Sequence, residues 1–282
     1  MCTIGNVFSV KEGAHLVFKQ CDLVGSVEFY TPEVKISGDI KYLPFMREGS
    51  EGAWCGINNY GVSFVAADSY VDKKGNEIQK KLTSSSDTTD STETTPTIFD
   101  QYMKIISECT TAKAAMEMMV EFYKTFDSPD ILLIADTDSS YFIESEGSGT
   151  QNVQVIDRTD GHFASTNHFR MVYGAVPYAS NHSTYLRLQR AETILQCSPD
   201  FDGIQSVLSD RYYGDSVWSV CRTANSNTPA EEESYFTQAS SIFVVKKSDT
   251  DGVKPTIDCH YIINGNASKT KWTLISDVFG DK

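Results

Sequence analysis

The chain opens Met1-Cys2-Thr3-Ile4-Gly5-Asn6-Val7-Phe8-Ser9-Val10, turns through Lys11-Glu12-Gly13, and resumes as Ala14-His15-Leu16-Val17-Phe18-Lys19-Gln20-Cys21-Asp22-Leu23. Both flanks are rich in β-formers. Lys11-Glu12-Gly13 suits a three-residue hairpin loop with Gly13 at the position that needs a positive φ. If Val10 pairs with Ala14, Cys2 faces Asp22. Lys19 lies three residues before Asp22, so a regular strand puts the two on opposite faces. Both reach Cys2 only where the strand bulges or ends near Cys21. On spacing alone, Lys19 and Asp22 suit an exposed strand pair equally well.

Cys2 is what makes the hairpin chemically interesting. Removal of Met1 would leave a thiol and a free α-amine on one residue. An α-amine titrates near ~7.7–8.0, so it can accept the thiol proton at neutral pH without a histidine. A neighbouring ammonium in turn favours the thiolate, which is the reactive form. A small residue after an initiator methionine is common, so Cys2 alone decides nothing.

Composition narrows the class. A chain of 282 residues can bury a large core, read here as one domain over 2–282. A net charge of −14 argues against a nucleic-acid surface, which requires clustered Lys and Arg. The seven cysteines form no Cys-x-x-Cys, and His15, His162, His168, His182 and His260 show no metal-ligand spacing. No metal or cofactor is therefore expected, and free thiols fit a reducing compartment. No apolar run approaches ~18 residues, and no basic-then-apolar leader opens the chain, so the expected location is cytoplasmic, with no membrane partner. Asn181-His-Ser and Asn266-Ala-Ser match the glycosylation sequon by chance on that reading.

Along the chain, strands flank a few helices. Residues 83–97 are nearly all Ser, Thr and Asp, which cannot pack a core and read as a mobile insertion, either passive or a lid. Thr110 or Thr111 can cap a helix to Tyr123 with Ala115, Met116, Met119, Val120 and Tyr123 on one stripe. Ile131–Ala135 and Tyr141–Ser145 read as a buried hairpin. Ser183 can cap a helix through Leu195 with Tyr185, Leu188, Ala191 and Leu195 inward. Arg187 falls near its start, where the helix dipole disfavours a cation. A carboxylate partner, a substrate anion or simple exposure would each account for it. Strands are expected near Val217–Arg222, Ser241–Lys246 and Thr256–Ile263. Strands, then helices, then strands suit two antiparallel sheets between helical layers.

Met-Cys-Thr followed by Phe18-Lys19-Gln20-Cys21-Asp22 resembles the N-terminal nucleophile (Ntn) hydrolases. More narrowly, it is similar to the linear-amide group: choloylglycine hydrolases, penicillin V acylases and acyl-coenzyme A:6-aminopenicillanic acid acyltransferases. Gly56-Ile57-Asn58-Asn59-Tyr60-Gly61-Val62 with Ala67-Asp68-Ser69 resembles a further block of that group. So do Ser165-Thr166-Asn167-His168-Phe169 and Ser183-Thr184-Tyr185-Leu186-Arg187. These blocks run in order to about Arg187.

The resemblance implies an α+β, four-layer αββα sandwich and an amidase or acyltransferase. The substrate would be an N-acylated small molecule cleaved through an acyl-Cys2 thioester. Cys2 would be nucleophile and base, Asp22 would hold its amine, and Asn167 would donate to the oxyanion. Lys19 and Arg187 would match two basic residues near the nucleophile. Lys19 stands where the acylases have arginine, which removes bidentate bonding. Asp68 stands where asparagine is common. A carboxylate cannot donate to an oxyanion, so only the Asp68 main-chain N–H could serve. His168 could contact substrate or make a structural hydrogen bond. The alternative is a non-catalytic or immature protein that keeps the fold; a homo-oligomer is compatible with either.

Overall fold

The computed structural model describes residues 1–50, 52–67, 97–147, 153–159, 161–171, 182–223, 235–250 and 252–280. The expected insertion therefore lies outside the described residues, apart from Thr97, and so does Asp68. The opening hairpin forms, one residue away from the expected register. Strand β1 (Cys2–Ser9) pairs with β2 (Ala14–Val24) so that Ser9 faces Ala14 and Cys2 faces Cys21, not Asp22. The loop has four residues, with Val10 almost fully exposed and Gly13 at φ 57°.

Packing explains the correction. The observed register sets Phe18 opposite Gly5, where a Cβ would collide with the Phe18 ring and the Phe163 carbonyl. Only glycine leaves room for that ring. Its full burial contributes roughly 1.5–3 kcal/mol. The same register sends Cys2, Ile4, Val17 and Cys21 to one core and Val7, Leu16 and Phe18 to another.

The chain continues through β3 (Lys35–Ser37), β4 (Ile40–Phe45), β5 (Cys55–Asn58) and β6 (Ser63–Ala66), then helices α1 (Ile98–Glu108) and α2 (Ala112–Tyr123). Next come β7 (Asp130–Ala135), β8 (Ser140–Ser145), β9 (Val153–Arg158) and β10 (His162–Ser165), then α3 (Ser183–Cys197) and α4 (Phe201–Leu208). Last are β11 (Tyr235–Lys246), β12 (Thr256–Ile263) and β13 (Thr273–Ile275). One sheet runs β10-β1-β2-β11-β12-β13 and the other β3-β4-β5-β6-β7-β8-β9, with each of these neighbouring pairs antiparallel. Helices α1 and α2 cover the second sheet, and α3 and α4 cover the first. The expected αββα sandwich is the observed architecture.

Local signals account for the helix ends. Thr97 and Asp100 form a reciprocal capping box on α1, and the Thr111 side chain caps α2. Helix α3 is capped by the His182 ring rather than by Ser183, which is its first helical residue. Residues 217–222 form turns, not the expected strand; Ser216 and Ser219 hydroxyls bond nearby main-chain groups and hold the bends. The Gly-Ile-Asn-Asn-Tyr-Gly block is a structural device. Asn58 accepts from the amides of Tyr60 and Val62 and donates to the carbonyls of Ile106 and Cys109, tying the β5–β6 turn to the end of α1.

A polar tie links the sheets away from the site. His15 stacks on Phe8, its Nε2 accepting from Asn6 Nδ2 at 2.8 Å and its Nδ1–H donating to the Asp136 carbonyl at 2.5 Å. Burial pushes the His15 ring down to about 4, so it is neutral in the fold. The unfolded chain binds this proton near 6.5 and the folded chain near 4, so stability is lost as pH falls between those values. Urea unfolding should show a loss of roughly 3 kcal/mol from this group between pH 7 and 4, and His15→Gln should remove that component of the pH dependence.

Candidate active site

Cys2 stands at the head of β1, in the row that crosses the first sheet. Its main-chain N–H donates to Asn167 Oδ1 at 2.9 Å, and its carbonyl accepts from Arg187 Nη1 at 2.7 Å. Arg187 Nη1 also donates to Thr3 Oγ1 at 3.1 Å, and Nη2 donates to Asn167 Oδ1 at 2.9 Å. Arg187 is fully buried, which removes the reading in which it is merely exposed. Its planar fork ties Cys2, Thr3 and Asn167 together, a geometry that lysine cannot reproduce.

Asn167 follows β10, the strand beside β1. Two anchors hold its loop. Thr184, buried in the first turn of α3, accepts the Asn167 main-chain N–H at 3.0 Å and bonds both Thr166 and His168. From the opposite sheet, the Glu144 carboxylate accepts the amides of Arg170 and Met171, each at 2.7 Å. His168 is pushed down to about 4 by burial and then by Arg170 and Arg187, so its ring is a neutral hydrogen-bonding group.

Asp22 meets the site through Met1. The Met1 amine donates to the Asp22 carbonyl at 2.6 Å, and the Asp22 amide donates to the Met1 carbonyl at 2.8 Å. Asp22 Oδ1 accepts from Thr237 Oγ1 at 2.7 Å; Oδ2 is buried with no hydrogen-bond partner among the described residues. Burial lowers the Met1 amine below its ordinary value, opposed by Cys2 and Asp22. The Met1 side chain fills a buried space where its sulfur receives Arg222 Nη1 at 2.9 Å, Arg187 Nη2 at 3.7 Å and Ser183 Oγ at 3.9 Å.

Lys19 lies on the same face as Cys2, not on the face of Asp22. Its ammonium donates to the carbonyls of Trp54 (2.9 Å) and Ala66 (2.7 Å) and sits 5.2 Å from the Trp54 ring centroid. It thereby joins β2 to the end of β6. The structure thus links Cys2, Asn167 and Arg187 by direct hydrogen bonds, with Asp22 joined to them through Met1 and Lys19 on the face of Cys2.

Arg222, Thr237 and Thr184 complete the surroundings and were not legible as site residues. Arg222 closes a run containing Val217, Trp218, Val220 and Cys221, and a cation ending an apolar run is the one signal that pointed to it. An open cavity of about 480 Å³, bordered by Phe29, Tyr30, Met46 and Ile263, lies farther along the sheet. Cys2, Cys21, Ala239 and Ile263 stand in one row, so three strand spacings of ~4.8 Å separate Ile263 from Cys2.

Among solved structures, a cysteine-to-alanine variant of the conjugated bile acid hydrolase from Clostridium perfringens matches with a TM-score of 0.59 and 14% identity. The match covers 100% of this chain and 95% of that one. An arginine-to-leucine variant of the same hydrolase gives 0.58 and 13%, again covering 100% and 95%. The Caenorhabditis elegans ortholog of N-acylethanolamine-hydrolyzing acid amidase gives 0.55 and 14%, covering 89% of this chain and 96% of that one. The chain has the Ntn-hydrolase fold. No protein-family model and no curated protein sequence match it. Among the described residues no helix is long and apolar enough to cross a membrane, and no group of three or more His, Cys, Asp or Glu could hold a metal.

Within this Ntn-fold site, Arg187→Lys keeps the charge but cannot span Cys2, Thr3 and Asn167. It should lower unfolding stability by about 1.5–3 kcal/mol in urea titration, the range for losing hydrogen bonds to a charged group. An unchanged midpoint would show that the three contacts contribute nothing.

Proposed function

We propose that the protein is an amidase whose nucleophile is Cys2 after Met1 has been removed, acting on a linear amide of an N-acylated small molecule. The observation that carries this reading is the position of the Cys2 nitrogen. The atom that becomes the α-amine already donates to Asn167 Oδ1 and follows a residue paired with Asp22. In the chain that keeps Met1, the same nitrogen is an amide and cannot act as a base, and the Met1 side chain fills adjacent space. The form with Met1 in place is the inactive one.

With Met1 gone, the Cys2 amine takes the thiol proton and the thiolate attacks the substrate carbonyl. The resulting oxyanion needs a preorganised donor. Asn167 Oδ1 is engaged by Cys2 and Arg187, which orients the carboxamide, and the donor this side chain contributes to the oxyanion is Nδ2–H. As the tetrahedral intermediate collapses, the protonated Cys2 amine gives its proton to the leaving nitrogen, the C–N bond breaks and an acyl-Cys2 thioester remains. Water, deprotonated by the same amine, then releases the acid and the free thiol. An amine acceptor in place of water would give acyl transfer.

Asp22 Oδ2, buried beside the Met1 amine and without a hydrogen-bond partner among the described residues, is the acceptor for a Cys2 ammonium. Lys19 and Arg222 add buried positive charge next to the developing anion. The apolar face around Cys2, with Phe29, Trp54, Phe142 and Phe163 in the same core, supports an apolar acyl group. The two amide hydrolases of similar fold agree with that reading. Single-domain organisation over 2–282 belongs to the same proposal.

The Cys2→Ala protein should fold like the parent yet hydrolyse no member of a panel of N-acyl amino acids, N-acylethanolamines and penicillin V. The parent, lighter by one methionine, should gain an acyl mass from at least one of them. Activity that survives Cys2→Ala, or full activity with Met1 present by intact mass, overturns the assignment. Asn167→Ala should lower kcat by ~10²–10³ with KM nearly unchanged, because an oxyanion contact strengthens only in the transition state. A variant that keeps kcat and only melts earlier would make Asn167 a structural residue.

A further inference from the structure

Cys21 has no part in the chemistry above, yet it stands directly across the ladder from Cys2. The flanking residues Met1 and Asp22 exchange both main-chain hydrogen bonds, at 2.6 and 2.8 Å. Antiparallel ladders alternate, so Cys2 and Cys21 occupy the neighbouring position without such bonds. There, opposite Cα atoms lie about 4.5 Å apart and side chains approach most closely. Disulfides bridge Cα separations of about 4.4–6.8 Å, so no strand need move. Both thiols face the core between the sheets, both are buried, and neither is in a disulfide. Loss of Met1 leaves the arrangement intact, because Thr3 opposite Gln20 and the rungs beyond preserve the register.

We propose that Cys2 and Cys21 form a reversible modification site, a dithiol that a hydroperoxide closes to a disulfide, removing the nucleophile from use. The Cys21 thiol is held well above its ordinary range, first by its hydrogen bond to Cys2 and then by burial, so Cys21 keeps its proton. Cys2 is therefore the sulfur that reacts first. Its thiolate attacks one peroxide oxygen, the O–O bond breaks, and the departing hydroxide takes a proton to leave as water. The Cys2 sulfenic acid is then attacked by the Cys21 sulfur; the S–O bond breaks, and the Cys21 proton leaves with the hydroxide as a second water. Two thiols lose two electrons and one hydrogen peroxide gains them.

The competing partner is Cys55, on the opposite sheet in the same core. Burial pushes its thiol up to about 12, and it is engaged with Ser241 Oγ at 3.4 Å. It has no ladder position opposite Cys2. Register therefore favours Cys21.

Hydrogen peroxide titration of the full chain tests the site, read by intact mass and peptide mapping without reduction. The expected result is loss of two hydrogens, a Cys2–Cys21 crosslinked peptide, and full recovery of both thiols with dithiothreitol. In Cys21→Ser, and in Cys21→Ala should the hydroxyl disturb folding, Cys2 should instead advance to sulfinic acid that dithiothreitol does not reverse. A Cys2–Cys55 crosslink, or sulfinic acid on Cys2 of the unaltered chain without any Cys21 bridge, overturns the proposal. The map needs no substrate, so it decides this site even if the amidase reading fails.

Discussion

The register of the β1–β2 ladder is the constraint on which the site depends. It sets Cys2 opposite Cys21, next to the Met1–Asp22 main-chain pair, and leaves the Cys2 nitrogen pointing at Asn167. Because β1 and β2 lie inside the sheet, neighbours on both sides inherit that register. β10 delivers Asn167 on one flank and β11 delivers Thr237 to Asp22 on the other. A slip of one residue would reverse which side chains of β2 share a face with Cys2. Gly5 guards against that slip, since no larger residue could lie beneath Phe18.

Around this ladder the protein concentrates buried cations. Lys19, Arg187 and Arg222 are each at most a few per cent exposed, and a buried charge is tolerated only when it is hydrogen-bonded or paired. Main-chain carbonyls meet that need for Lys19, while Arg187 spreads its bonds over Cys2, Thr3 and Asn167. Removing these side chains would therefore cost structure as well as charge. The buried Oδ2 of Asp22 is the complementary negative point, held in position through Thr237.

Among its described residues, the second sheet contributes contacts that hold the site in place. Glu144 grips the loop that bears Asn167 from across the sandwich, and Lys19 grips the end of β6 in return. Asn6, His15 and Ser140 tie the far end of the same hairpin to the second sheet. The β1–β2 hairpin is thus fastened at both ends through polar contacts and along its length by the apolar core. That rigidity suits the proposed chemistry, whose base, nucleophile and oxyanion donor must stay within hydrogen-bond reach of one another.

Sequence alone determined the elements whose signals are local. Alternating β-formers around Gly13, the Thr111 cap, the buried hairpin about Asp136 and the strand Thr256–Ile263 all rest on periodicity and turn chemistry within a few residues. Cys2, Asn167 and Arg187 were legible as ordered motif blocks, and the layered α+β class followed from the order of strands and helices. Tertiary structure alone decided the hairpin register, because Phe18 against Gly5 is a packing contact that the loop sequence does not encode. It alone decided that Lys19 shares a face with Cys2 while Asp22 reaches the site through Met1. Arg222 and Glu144 could be found only once the sheets were assembled, since each acts on a residue more than twenty positions away in the chain. Their charges are stable there because folding surrounds them with donors and acceptors drawn from distant segments.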